Sequence, residues 1–145
     1  MFQFTIRAAK HSDAEAVCRI AGTVLNSELP PDMLKRLYAK IIEDVEQIVM
    51  VAINSAHTVG FIHARQVKDL VLGKYTEIAA IALLPYYQKR GGGTSLLLGA
   101  EQWSRQMLTS KLKCIPKNDV TAIKQLLTVC GYEENVSGVL EKIII

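Results

Sequence analysis

Long apolar runs, paired cysteines and blocks of like charge are what this sequence lacks, and each absence excludes a class. The longest uncharged apolar stretch, from Ile78 to Tyr87, falls well short of the roughly 20 residues a membrane-spanning helix needs, so no membrane partner is expected. Cys18, Cys114 and Cys130 are odd in number, far apart and set in apolar surroundings, which fits reduced packing thiols better than a disulfide framework. The net charge is only +3 and the basic residues are scattered, so no nucleic-acid surface is indicated. The opening MFQFTIRAAK shows neither the long hydrophobic region nor the small-residue cleavage pattern of a secretion signal. The expectation is a cytoplasmic protein.

What is present is enough apolar residue for a core. Half of the 145 residues are hydrophobic, and the length predicts one domain spanning 1–145 with a single site. Phe2 to Arg7 reads as a first strand, and Ser12 with Glu15 forms an S-x-x-E capping box before a helix carrying Val17, Ile20, Ala21 and Val24 on one face. Pro30 and Pro31 interrupt it, and a second amphipathic helix carries Leu34, Leu37, Tyr38 and Ile41. Gln47 to Ile53 and Thr58 to Gln66 read as a hairpin, and Tyr75 to Leu84 as a central strand apolar on both faces. A helix with Leu96, Leu97, Ala100 and Trp103 leads to a short strand from Leu112 to Ile115, a parallel crossover. Asn118 or Asp119 caps a last helix stopped by Gly131, and Tyr132–Asn135 with Val139–Ile145 closes the chain as a hairpin. The order strand, two helices, three strands, helix, strand, helix, two strands implies a mixed sheet.

Between the central strand and the third helix stands Gln88-Lys89-Arg90-Gly91-Gly92-Gly93-Thr94. A glycine turn opening a helix directs unpaired amides and the positive end of the helix dipole at one point, a natural anion site, with Lys89 and Arg90 adding charge. The Walker pattern fails for want of a lysine after the last glycine, and the dinucleotide fingerprint fails because Leu96 stands where its third glycine belongs. The stretch does match Q/R-x-x-G-x-G/A, with Gln88, Gly91 and Gly93 in place. On this motif, set between a long strand and a helix, nearly the whole chain resembles the GCN5-related N-acetyltransferase (GNAT) superfamily.

The resemblance implies an α/β (α+β) fold: a mixed, mostly antiparallel twisted sheet of six to seven strands with about four helices on both faces. It also implies acetyl-coenzyme A as cosubstrate, with no metal. The backbone of Ile81, Ala82 and Leu83 would run beside the pantetheine and acetyl carbonyl, and Gln88 to Thr94, including Gly92, would cradle the pyrophosphate. Asn118 is similar to the family's coenzyme-contacting asparagine, and Cys130-Gly131-Tyr132 to its G-F/Y ending. One departure stands out: Leu127 occupies the place of the tyrosine that commonly protonates the leaving thiolate.

Acetyl transfer needs a neutral amine, and an amine of pKa near 10.4 is neutral about once in several thousand molecules at pH 7. Glu77, at the head of an otherwise apolar strand, is similar in its spacing from Gln88 to the catalytic glutamate of histone-acetylating members; equally it reads as a solvated strand-start residue beside Lys74. Glu28 and Asp32, by the two prolines, could attract a cationic substrate or simply be helix-start acids. The three histidines are isolated from one another, and no G-x-S-x-G elbow supports serine chemistry. The expected activity is acetyl transfer to a primary amine, on a small molecule or a protein, by direct attack on the thioester. The competing class is a non-catalytic acyl-coenzyme A sensor. The apolar Val139–Ile145 tail could pair across a homodimer edge.

Overall fold

The protein, as a computed structural model, is described over residues 2–115 and 121–144. Among these residues, strands β1 (Thr5–Ala8), β2 (Gln47–Asn54), β3 (His57–Asp69), β4 (Gly73–Leu83), β5 (Lys111–Cys114), β6 (Glu133–Glu134) and β7 (Leu140–Ile143) form one sheet in the order β1-β2-β3-β4-β5-β7-β6. Every neighbouring pair is antiparallel except β4 and β5. The helices are α1 (Ala14–Val24), α2 (Pro31–Glu43), α3 (Gly92–Gln106) and α4 (Thr121–Val129). The predicted mixed, mostly antiparallel sheet with four helices is therefore the observed one. No helix among the described residues is long and apolar enough to cross a membrane.

Strand alternation sends successive side chains to opposite faces. Ile62, Ile78, Ile81 and Leu112 meet Leu96, Leu97, Ala100 and Trp103 of α3 and Leu127 of α4 on one face. Val49, Val51, Phe61 and Ala82 meet Val17 and Ile20 of α1 and Tyr38 of α2 on the other. The central strand β4 is thus apolar on both faces because both are covered. The β2–β3 hairpin turns through Ser55 and Ala56, whose φ values of 50° and 69° supply the backbone twist a two-residue turn needs.

Two local readings change. The Ser12–Glu15 capping box does not form: a 3-10 turn over His11–Asp13 precedes α1, and Asp13 takes the structural role instead. Its carboxylate accepts the Lys10 N–H at 2.8 Å and two bonds from Arg7 at 2.7 and 3.0 Å, pinning α1 to β1. The closing hairpin is shorter than expected, because Asn135 accepts the Ser137 and Val139 amides and holds residues 135–139 in a tight turn. Proline at the first position of α2 fits, since the amide it lacks would have no helical partner there.

A buried acid that the sequence did not announce locks the far side. Glu101 of α3 is 2% exposed; it accepts the Tyr132 hydroxyl at 3.1 Å and lies 3.2 Å from the Lys142 ammonium. Lys142 also donates to the Cys130 carbonyl at 2.9 Å. Burial first, then the Glu101 carboxylate, pushes the Tyr132 phenol well above its usual range. The three groups tie α3, the end of α4 and β7 together.

Candidate active site

The site begins where two parallel strands part. β4 and β5 pair only at Thr76 with Leu112 and Glu77 with Lys113, while β4 runs on to Leu83. A bulge falls in the same stretch: His63 faces Ala80 and Ala64 faces Ile78, so Ala79 is the extra residue that bends the strand. The Leu84 N–H donates to the Val59 carbonyl at 2.9 Å, and alternation turns the peptide groups of Leu83 and Ile81 to the open side of the fork. Gly60 lets β3 lie against this segment: a Cβ there would sit 2.7 Å from the Ala82 carbonyl oxygen.

Two hollows meet at this fork. One, of about 610 Å³, is lined by Ile81, Ala82, Leu83, Gln88, Lys89, Gly91, Gly93 and Thr94, with Ala122, Ile123, Gln125, Leu126 and Val129 of α4 opposite. The other, of about 520 Å³, lies between α1, α2 and the sheet. Leu25, Ile81 and Ile123 line both.

The wall of the first hollow is built by main chain. After a 3-10 turn over Pro85–Tyr87, the Gln88 side chain donates to the Leu83 carbonyl at 2.9 Å. Lys89 and Gly91 take positive φ values of 60° and 96°, and the second of these is why a glycine belongs there. The first helical bond of α3 runs from the Ser95 N–H to the Gly91 carbonyl at 3.1 Å, leaving the amides of Gly92, Gly93 and Thr94 as the open donors of the helix start. Gly93 also permits close packing, since a Cβ there would lie 2.6 Å from Leu126 Cδ2. Open amides and a helix N-terminus beside Lys89 suit an anion of diphosphate type.

The sequence profile of the acetyltransferase (GNAT) family matches residues 14–132. The chain belongs to that family. Among curated proteins, none matches this sequence. Among solved structures, an aminoglycoside N-acetyltransferase, AAC(6')-Iy in complex with CoA, is similar with a TM-score of 0.84 at 17% identity, covering 100% of this chain and 94% of that one. The PaiA N-acetyltransferase of Thermoplasma acidophilum, in complex with coenzyme A, has a TM-score of 0.77 at 15% identity, covering 97% and 99%. Ard1 of Thermoplasma volcanium has a TM-score of 0.76 at 20% identity, covering 98% of both. At these identities the likeness is one of fold.

Set in the GNAT frame, the residues singled out from sequence divide. Ile81, Ala82, Leu83, Gln88, Lys89, Gly91, Gly93 and Thr94 converge on one hollow. Gly92 faces inward, toward Phe4 and Leu83. Arg90 departs from expectation: its guanidinium sits 4.4 Å over the Phe2 ring, and its Nε donates to the Tyr86 carbonyl at 2.9 Å. Its charge is spent on an aromatic cluster of Phe2, Tyr86 and Tyr87 rather than on the hollow. Glu77 also departs, lining neither hollow; its carboxylate is held by Arg65, across the β3–β4 pair, at 2.5 Å. Glu28 and Asp32 are exposed and line neither hollow. Asn118 lies outside the described residues. Leu127 is fully buried, so no hydroxyl stands at that position.

Sequence reasoning missed the second hollow's polar strip. His63 Nε2 lies 2.7 Å from Gln47 Oε1 on adjacent strands, and Arg65 follows on β3. Tyr38 and Cys18 stand across from them; burial drives both groups' pKa values upward, so both stay protonated at neutral pH. Alternation on β3 was the signal available, since His63 and Arg65 share a face with Phe61. Among the described residues, no group of three or more His, Cys, Asp and Glu side chains could hold a metal ion.

Proposed function

We propose that residues 1–145 act as one cytoplasmic acetyl-coenzyme A-dependent N-acetyltransferase, moving the acetyl group to a primary amine without a covalent enzyme intermediate. One observation carries the reading: the hollow at a helix start with open amides and a second hollow meet at the stretch of β4 around Ile81, which pairs with no further strand among the described residues. A donor held by its diphosphate at Gly91–Thr94 can lay its thioester along Ile81–Leu83, where an acceptor from the other hollow reaches it. The amine nitrogen attacks the carbonyl carbon, the carbon–sulfur bond breaks, and the electron pair leaves on sulfur. The proton shed by nitrogen ends on the thiolate.

The chain's own contribution is placement and electrostatics. Peptide N–H groups on the open side of β4, near Leu83, stabilise the charge that develops on the carbonyl oxygen. The amides of Gly92, Gly93 and Thr94, with Lys89, hold the diphosphate. Glu77 orients Arg65 at the edge of the acceptor hollow rather than taking the proton itself. With Leu127 in place of a hydroxyl, the thiolate is protonated by water. The buried Leu127 also favours a competing reading, a non-catalytic acyl-coenzyme A sensor. Calorimetric titration with acetyl-coenzyme A followed by thiol-release assays separates them. Tight binding with thiol released to an amine supports the enzyme, binding without release across amine classes supports the sensor, and no binding removes both.

A further inference from the structure

The acceptor hollow has a chemical character of its own. Its walls are Val17 and Ala21 from α1, Leu34 and Leu37 from α2, and Val49 and Phe61 from the sheet. All are apolar, and they surround a space of about 520 Å³, within the range of pockets that enclose a single small organic molecule, roughly 300 to 1,000 Å³. A polar strip runs along β2 and β3, where Gln47 and His63 are bonded to each other and Arg65 is held by Glu77, and the uncharged Cys18, Ser27 and Tyr38 face it from the helix side. Among the described residues that line the hollow, Arg65 carries the formal charge, and it is a cation.

This combination selects among amines. An acceptor whose body is alkyl or aryl buries that surface against six apolar side chains, a gain of about 25 cal/mol per Å². A polyamine or aminoglycoside would instead bring further ammonium groups into an apolar space where the charge that meets them among the described lining residues is a guanidinium and no lining carboxylate offsets the lost hydration. Continuity with the donor cleft through Leu25, Ile81 and Ile123 lets the nitrogen of such a molecule reach the thioester while its body stays in the hollow. Resting on the function proposed above, we infer that the acceptor is an apolar monoamine, an alkyl or arylalkyl primary amine, and not a polycation.

The test uses the whole chain in two steps. Calorimetric titration with acetyl-coenzyme A comes first and judges the donor site alone. Thiol release is then followed at saturating acetyl-coenzyme A with 2-phenylethylamine, hexylamine, spermidine and kanamycin. The inference expects kcat/KM for the two monoamines to exceed that for the two polycations by about tenfold or more. Leu37 lies at the rim, 43% exposed, so Leu37→Glu adds a carboxylate to the wall without emptying the core. It should raise KM for 2-phenylethylamine by about tenfold, leave the coenzyme Kd unchanged, and improve turnover of spermidine. Coenzyme binding with the polycations preferred, with no thiol released by either monoamine, or with Leu37→Glu indistinguishable from wild type, overturns the acceptor class and leaves the donor site standing. Failure to bind the coenzyme overturns the proposed function itself and this inference with it.

Discussion

The two hollows that meet at Ile81 are built from different materials. On the side proposed for the donor the surface is backbone: amides of Gly92, Gly93 and Thr94, and the peptide groups of Ile81 and Leu83 turned to a strand edge that no other described strand pairs. On the side proposed for the acceptor it is side chains drawn from α1, α2 and the β2–β3 hairpin. Backbone surfaces depend on a few positions where any side chain is an obstacle, so they tolerate little. Side-chain surfaces can be retuned one residue at a time, which is how one frame can serve many acceptors.

Substitutions can test that contrast. The largest effect belongs to Gly60→Ala, behind the β4 segment next to Ile81, because its Cβ meets the Ala82 carbonyl. Overpacking there should cost about 1–3 kcal/mol of stability and lower both donor binding and turnover, read by denaturant melts and thiol release. If Gly60→Ala melted like wild type, the close approach of β3 to the site segment would be refuted. Next comes Gly91→Ala on the donor side alone. A non-glycine residue held at φ 96° pays about 1–2 kcal/mol, roughly 5- to 30-fold in coenzyme Kd if the loop rather than the fold absorbs it. Acceptor KM at saturating donor should stay put.

A finer comparison sets two neighbouring cations against each other. Lys89→Gln should weaken coenzyme binding several-fold at low salt, and less as salt rises. Arg90→Ala should affect affinity less than Lys89→Gln, because that guanidinium lies over Phe2. The reverse order would return Arg90 to the phosphate site. The smallest effect lies outside both hollows. Arg7, by hydrogen bond before all else, holds the Asp13 carboxyl below its ordinary value of 3.8 against the opposing pull of burial. A lowered folded-state pKa means this contribution is complete above the unfolded value and is lost as pH falls through the folded one. Thermal melts of wild type should therefore lose stability below about pH 4, and Asp13→Asn should be less stable at neutral pH while flattening that acid limb. A variant with the same acid limb as wild type would put the titrating group elsewhere.

Much of the frame was legible because its rules are local. Apolar spacing placed all four helices, and the run from Tyr75 to Leu84 read as central because it is apolar on both faces from Ile78 onward. The glycine loop was legible for the same reason: a turn that opens a helix fixes its own amides, whatever packs around it. The capping of α1 was misread because Ser12 and Glu15 lost to Asp13, whose partner Arg7 sits on a separate strand. The contact of Arg90 with Phe2 was not legible, because the sequence shows a charge beside a glycine loop while Phe2 comes from the other end of the chain.

Sequence by itself determined the order of elements, the unpaired helix start at Gly91–Thr94 and the absence of a hydroxyl at position 127, since each depends on neighbours within a turn or two of chain. Only the folded sheet decided that Glu77 answers to Arg65, that Glu101 is buried with Lys142 and Tyr132, and that a second hollow with apolar walls opens beside Ile81. Those facts join residues far apart in the chain, and such contacts exist only once strand register and helix packing have brought them within reach.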